Sequence, residues 1–406
     1  MEKVERVEIE KEEKQRNLEK KYLHIIGMLA QVIFVFFTVF FSIYVYEISK
    51  NLNFVLFYML FNVTIRLLCE VVIYQFANNK VLKILYKLSF VLCLISILLI
   101  FLIKSNTLYM VFVAQFFYAI ALTFYYVPNE IATMDKNSKK QMGKFIGIDA
   151  VLALFAQILS PFLSGVIVSY VSYYILFAII SIVALTCFIL SFKVQKHCEV
   201  DKRIKLKYFI KDVHGYKGIK LGYLGYGIFK FSQDGVIDVI LPVLIFIRTG
   251  GSFSVGLYSA LATLIAGGVL IIYLYFCKNK AIALYIATTF LVIVSILIIF
   301  FNSLTMFFVY YFIKKSVFEV LKTGIFESVF NLPKGTKMEE YKIEQHMTFS
   351  LYNRIFVILA FIFSLLIYNF IKSDLTISII LLVLSASQII STILTVKSDK
   401  LREQNL

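Results

Sequence analysis

The chain of 406 residues contains no tryptophan, and only 16% of it is charged. A soluble domain carries about 25% Asp, Glu, Lys and Arg, so this shortage argues against a soluble globular protein. The five cysteines, Cys69, Cys93, Cys187, Cys198 and Cys277, form no C-x-x-C pair. Four of them lie in or beside apolar runs, where a thiol is a small hydrophobe, so neither a disulfide framework nor a metal site is expected. His24, His197, His214 and His346 make no H-E-x-x-H and form no clustered ligand set, and no metal is expected. A G-x-x-x-x-G-K-[ST] loop is missing, so ATP is not expected to drive the protein directly. Ser and Thr occur without a nucleophile motif. Neither a cofactor nor an enzymatic activity is expected.

Apolar residues make up 60% of the chain, in long runs. A run of about 20 apolar residues is long enough to cross a bilayer as a helix. Twelve are placed at 22–46, 53–76, 83–103, 107–130, 145–169, 171–192, 219–247, 254–276, 281–301, 303–330, 347–371 and 375–396. The fold class expected is an all-α membrane protein of twelve transmembrane helices in two six-helix halves. Its parts are a tail at 1–21, a first half at 22–192, a loop at 193–218, a second half at 219–396 and a tail at 397–406. The N-terminal tail balances seven acids with seven bases, which is too acidic for a signal peptide.

The net charge of +16 could suggest a nucleic-acid partner. Its distribution points instead to a lipid bilayer. On this topology 31 of the 41 Lys and Arg fall on the side of the two chain ends, counting Lys83, Lys87 and Lys220 at the edges of their spans, four fall on the other side, and six lie deeper within spans. Such a bias places both termini in the cytoplasm.

Charges inside spans are the sharpest signal. An intramembrane charge costs roughly 2.5–3.5 kcal/mol on insertion scales and defaults to a functional role. The seventh run carries Lys230, Gln233, Asp234 and Asp238; on a continuous helix the charges at i, i+4 and i+8 share one face. The tenth carries Lys314, Lys315, Glu319 and Lys322, with Lys315, Glu319 and Lys322 again on one face. Lys230, Gln233, Asp234, Asp238, Lys315, Glu319 and Lys322, with Gln115 of the fourth run, are the expected pathway for substrate and proton. Arg66 and Glu70 of the second run, Asp149 of the fifth and Arg354 of the eleventh are candidates for an inner gate. A permanent structural network of ion pairs is the competing reading of the same residues.

The halves also repeat. N-T-L-Y-M-V-F-V at 106–113 aligns with N-S-L-T-M-F-F-V at 302–309, and S-I-L-L-I-F at 96–101 with S-I-L-I-I-F at 295–300. The fifth run places Gly147, Ala156, Ser160, Pro161, Ser164 and Gly165 where an exporter motif has G-x8-G-x3-G-P-x2-G-G. Small residues let helix backbones approach closely. With six plus six spans, a parallel repeat and a basic central loop, the chain resembles the major facilitator superfamily. The family's loop after the second span is eroded here, with Asn78 where an acid is usual and Lys80 and Lys83 retained.

The resemblance implies that spans 1, 4, 7 and 10 line a central cavity, with Gln31, Thr38, Gln115 and Tyr118 on its N-terminal side. It implies a secondary transporter of the bacterial cytoplasmic membrane, monomeric as is usual in the family. The reading is proton-coupled export of a small amphipathic solute, anionic or zwitterionic. Two alternatives stay open: an importer or facilitator of a polar solute, and a membrane protein that does not transport and acts in immunity, sensing or lipid scrambling.

Overall fold

The computed structural model describes residues 2–76, 79–136, 139–194, 217–233, 235–277, 279–330, 342–371 and 375–403, with the side chains of 2–17, 79, 130–150, 217, 233, 326–330, 342–346 and 402–403 excepted. Every regular element among these is helical. Helix α1 (Glu2–Val35) passes through a π turn at Phe36–Phe40 into α2 (Phe41–Ser49). There follow α3 (Leu52–Phe76), α4 (Asn79–Ile100), α5 (Tyr109–Lys136), α6 (Lys139–Tyr170) and α7 (Tyr173–Ser191). The second half contains α8 (Lys217–Gln233), α9 (Val236–Thr249), α10 (Ser252–Phe276), α11 (Lys280–Phe300), α12 (Leu304–Phe330), α13 (Lys342–Phe370) and α14 (Thr376–Glu403). The end of each span nearer the chain termini is called inner below.

Among the described residues, ten helical stretches are long and apolar enough to cross a membrane. The remaining two of the twelve expected runs differ for physical reasons. The seventh is divided into α8 and α9, each too short to span alone. The tenth, α12, is continuous but carries Lys314, Lys315, Glu319 and Lys322.

The repeat is visible in the backbone. Helix α3 covers 52–76 and α10 covers 252–276; α2 ends at Ser49 and α9 at Thr249. Each of the last two ends in a left-handed residue, Lys50 with φ 51° and Gly250 with φ 69°. Glycine takes this conformation without strain, whereas a side chain there costs on the order of 1 kcal/mol. Lys50→Gly is therefore expected to raise the thermal unfolding midpoint, while Lys50→Ala, which keeps the strain, is not.

Two seams join the halves: α3 against α13, and α6 against α10. The repeat relates them, since α3 corresponds to α10 and α6 to α13. Lipid supplies no hydrophobic drive between helices, so close backbone approach and interhelical hydrogen bonds must hold such seams. In the α6–α10 seam a Cβ on Gly256 would stand 2.4 Å from the Pro161 carbonyl, and one on Gly165 would stand 2.9 Å from the Ser252 carbonyl. At the outer end of the α3–α13 seam, Asn53 Nδ2 donates to Asn369 Oδ1 at 2.8 Å. A third contact closes the centre on the outer side, where α9 packs against the π turn and α2. Helix α8 packs on α12, α13 and α14 of its own half.

Candidate functional site

The seventh span breaks where the sequence reads Gln233-Asp234-Gly235. Gly235 has φ 81° and ψ −77°, a conformation closed to most L side chains. The expectation that Lys230, Asp234 and Asp238 share one continuous helical face is thereby corrected. Lys230 stands on the last turn of α8, and Asp238 on the first turn of α9. An aspartate there suits the positive end of the helix dipole. Asp234 and the side chain of Gln233 lie outside the described residues.

Asp238 is the hub of the site. Its Oδ1 accepts from Lys314 Nζ at 2.5 Å and faces Lys315 Nζ at 3.4 Å. The expectation for α12 set Lys315, Glu319 and Lys322 on the working face and gave Lys314 no special place. Lys314 is in fact fully buried and makes the shorter contact. Adjacent residues on a helix diverge by about 100°, so both reach one carboxylate only because α9 lies across their side of α12. Glu319 pairs with Lys322 at 3.7 Å.

Aromatic rings carry the rest of this positive charge. The Phe318 ring has Lys314 Nζ at 5.3 Å, Lys322 Nζ at 5.6 Å and Lys230 Nζ at 6.0 Å from its centroid. It stacks on Phe229 at 5.5 Å. Lys230 also stands 5.6 Å from the Tyr226 ring. Each such contact offsets part of an ammonium's desolvation, by about 0.5–2 kcal/mol. Among the described side chains, four lysines thus share this region with two carboxylates, Asp238 and Glu319, a local excess of positive charge.

A polar stripe on α14 fixes α8. Ser391 Oγ donates to the Gly225 carbonyl at 2.7 Å, Ser398 Oγ to that of Gly218 at 2.6 Å, and Gln388 Nε2 to that of Phe229 at 3.2 Å. These bonds hold the inner half of the broken span to the rest of its half. Sequence reasoning missed them, although Ser385, Gln388, Ser391, Thr395 and Ser398 recur at helical spacing through an otherwise apolar run.

The gate candidates separate. Glu70 turns to the other half: Oε1 accepts from Arg354 Nε at 2.9 Å, and Oε2 accepts from Ser350 Oγ at 2.9 Å. Glu70 is 18 residues, about 27 Å, from the outer start of α3, and Arg354 is 16 residues, about 24 Å, from the outer end of α13. The pair therefore joins the halves toward the inner side. Asp149 lies where side chains are not described, as does Gly147. Ala156, Ser160, Pro161, Ser164 and Gly165 are buried on α6. Gln115, expected in the pathway, accepts from Asn62 Nδ2 at 2.7 Å within the first half.

A family profile described as Major Facilitator Superfamily matches residues 72–333, more than half of the chain. Comparison with curated proteins gives no match. Among solved structures the fold is similar to that of a bacterial homologue of the iron transporter ferroportin, crystallised in an inward-facing state. The two share 13% of their residues, over 94% of this chain and 98% of that one, with a TM-score of 0.66. At that identity the likeness is one of fold. The profile match and the multi-pass helical architecture together make this chain a transporter of the major facilitator superfamily.

Proposed function

We propose that the chain is a secondary transporter that exports a small amphipathic solute, anionic or zwitterionic, in exchange for protons. It works as a monomer by alternating access in a bacterial cytoplasmic membrane with both termini inside. The observation that carries this reading is the single carboxylate of Asp238 shared by Lys314 and Lys315 beside a broken span. A broken transmembrane helix exposes half-helix ends to a cavity and recurs at transporter binding sites. The lysine cluster supplies the attraction for an anionic group, and the rings of Tyr226, Phe229 and Phe318 supply an apolar face.

Lys315 is the more exposed of the two lysines, 28% against 1% for Lys314. Lys315 is therefore the lysine that a solute anion can engage. Exchange requires solute and proton to occupy the site in turn, so Asp238 takes up its proton after the solute has left and gives it up before the next solute binds. Asp238 thus takes the coupling role that the sequence suggested first for Asp234 and second for Glu319. The fold neighbour is described as a homologue of an iron transporter; the four lysines favour an anionic or zwitterionic solute for this chain.

The test is a thermal-shift screen of the purified protein against anionic, zwitterionic and cationic amphiphiles, since a ligand that binds the native state stabilises it. Stabilisation by anionic or zwitterionic members, reduced in Lys315→Ala, is expected. Stabilisation by lipophilic cations alone would sink the reading.

A further inference from the structure

A second group of polar side chains lies in the other half, away from the lysines. Asn62 and Arg66 stand one turn apart on α3, and Gln115 and Tyr118 nearly one turn apart on α5. Both helices run from the outer side inward, and the Asn62–Gln115 hydrogen bond sets their register. Arg66 and Tyr118 therefore lie together in the next layer inward, where they interact electrostatically. Tyr118 stacks on Phe37 of the π turn with ring centroids 3.5 Å apart, and Arg66 stands 5.9 Å from the Tyr126 ring.

Three atoms in this layer lack hydrogen-bond partners among the described residues: Arg66 Nε, Gln115 Nε2 and Tyr118 Oη. Their side chains are buried, with residue exposures of 8%, 1% and 4%. Orphaned buried polar atoms are costly and call for an explanation. Here all three can donate, and two can only donate. What the layer lacks is an acceptor. Glu70, one turn further on α3, interacts electrostatically with Arg66 but accepts its hydrogen bonds from Arg354 and Ser350.

We propose that Arg66, Gln115 and Tyr118 form an anion-accepting subsite in the N-terminal half that holds a carboxylate- or phosphate-class group of the transported solute. This deepens the transporter reading and rests on it. A guanidinium N–H, an amide N–H and a hydroxyl suit an anionic oxygen, which accepts several bonds at once. The π turn and α5 belong to spans 1 and 4, and α9 closes over the π turn from the other half. A solute held here and at the lysines would bridge the two halves.

The test measures the unfolding midpoint of the full-length protein in detergent. Sodium acetate or sodium phosphate replaces bulky sodium isethionate at constant ionic strength. Wild type and Lys315→Ala are both expected to gain several degrees in acetate or phosphate. Tyr118→Phe removes only an unpartnered hydroxyl, so in isethionate it should unfold at or above the wild-type midpoint, and its anion response should fall several-fold. Gln115→Glu keeps the acceptor for Asn62, supplies its own carboxylate, and should show no anion response. The proposal is overturned by a wild type indifferent to both anions, by an equal response in Tyr118→Phe and Gln115→Glu, or by a response lost in Lys315→Ala, which would assign it to the lysine cluster. A midpoint for Tyr118→Phe well below wild type in isethionate would also overturn it, since the hydroxyl would then have a partner. None of these readings requires transport, so they fail or hold separately from the transporter reading.

Discussion

Asp238→Asn is expected to abolish gradient-driven accumulation of solute in proteoliposomes while leaving exchange of labelled for unlabelled solute measurable. The amide keeps the size of the carboxylate and can still accept from Lys314, but it neither carries a proton nor balances a charge. Lys314 is fully buried, and losing the carboxylate 2.5 Å away leaves an ammonium poorly compensated. Breaking a buried pair by removing one partner costs about 3–5 kcal/mol; the partial exposure of Asp238 places this case at the lower end. The unfolding midpoint should therefore fall together with coupling. Lys315→Ala should weaken solute binding with a smaller loss of stability, because Lys315 is more exposed and Lys314 remains on Asp238. Equal accumulation by wild type and Asp238→Asn would show that another carboxylate couples; Asp234→Asn and Glu319→Gln would then be the variants to compare.

Arg354→Ala is expected to open the inner side. Glu70 is only 1% exposed, and its bond to Arg354 joins the halves deep toward that side. Without the guanidinium, closing the inner side buries an acid that keeps only the Ser350 hydrogen bond and the charge of Arg66 one turn away, at a cost toward the lower end of about 3–5 kcal/mol. The outer contacts, Asn53 with Asn369 and α9 with the π turn, are untouched. A bias of 3 kcal/mol is over 100-fold in population, enough to invert a modest preference. Single cysteines placed toward the inner ends of α8 and α12 should become more reactive to a water-soluble thiol reagent, and outer ones less so. Glu70→Gln in the same chain should restore much of the wild-type pattern, since it removes the buried charge left behind. Accessibility unchanged on both sides would show that the pair is static packing.

The fold was legible in the sequence because a bilayer leaves few choices. Backbone groups in hydrocarbon must be paired within the segment, so apolar length alone placed most helices within a few residues of their observed ends. The repeat read in the sequence recurs in the backbone, in the parallel bounds of α3 and α10. The break in the seventh span was written as Asp234-Gly235, a turn signal that the long apolar run obscured. Glu70 and Arg354 were legible as charges seeking partners, but their pairing over 284 residues of separation depends on how the halves dock. The α12 lysines show a different limit: helical periodicity says which residues share a face, not which face meets α9. Lys314 gained its place from that crossing. The unpartnered donors of α3 and α5 were invisible for the same reason, since a missing partner has no sequence pattern.

The most direct measurement is solute accumulation by wild-type protein in proteoliposomes under an imposed pH gradient, using a compound chosen by the thermal-shift screen. The account predicts accumulation against the proton gradient, reversal when the gradient is reversed, and collapse when a protonophore dissipates it. Transport whose rate and extent ignore the gradient would contradict proton coupling through Asp238.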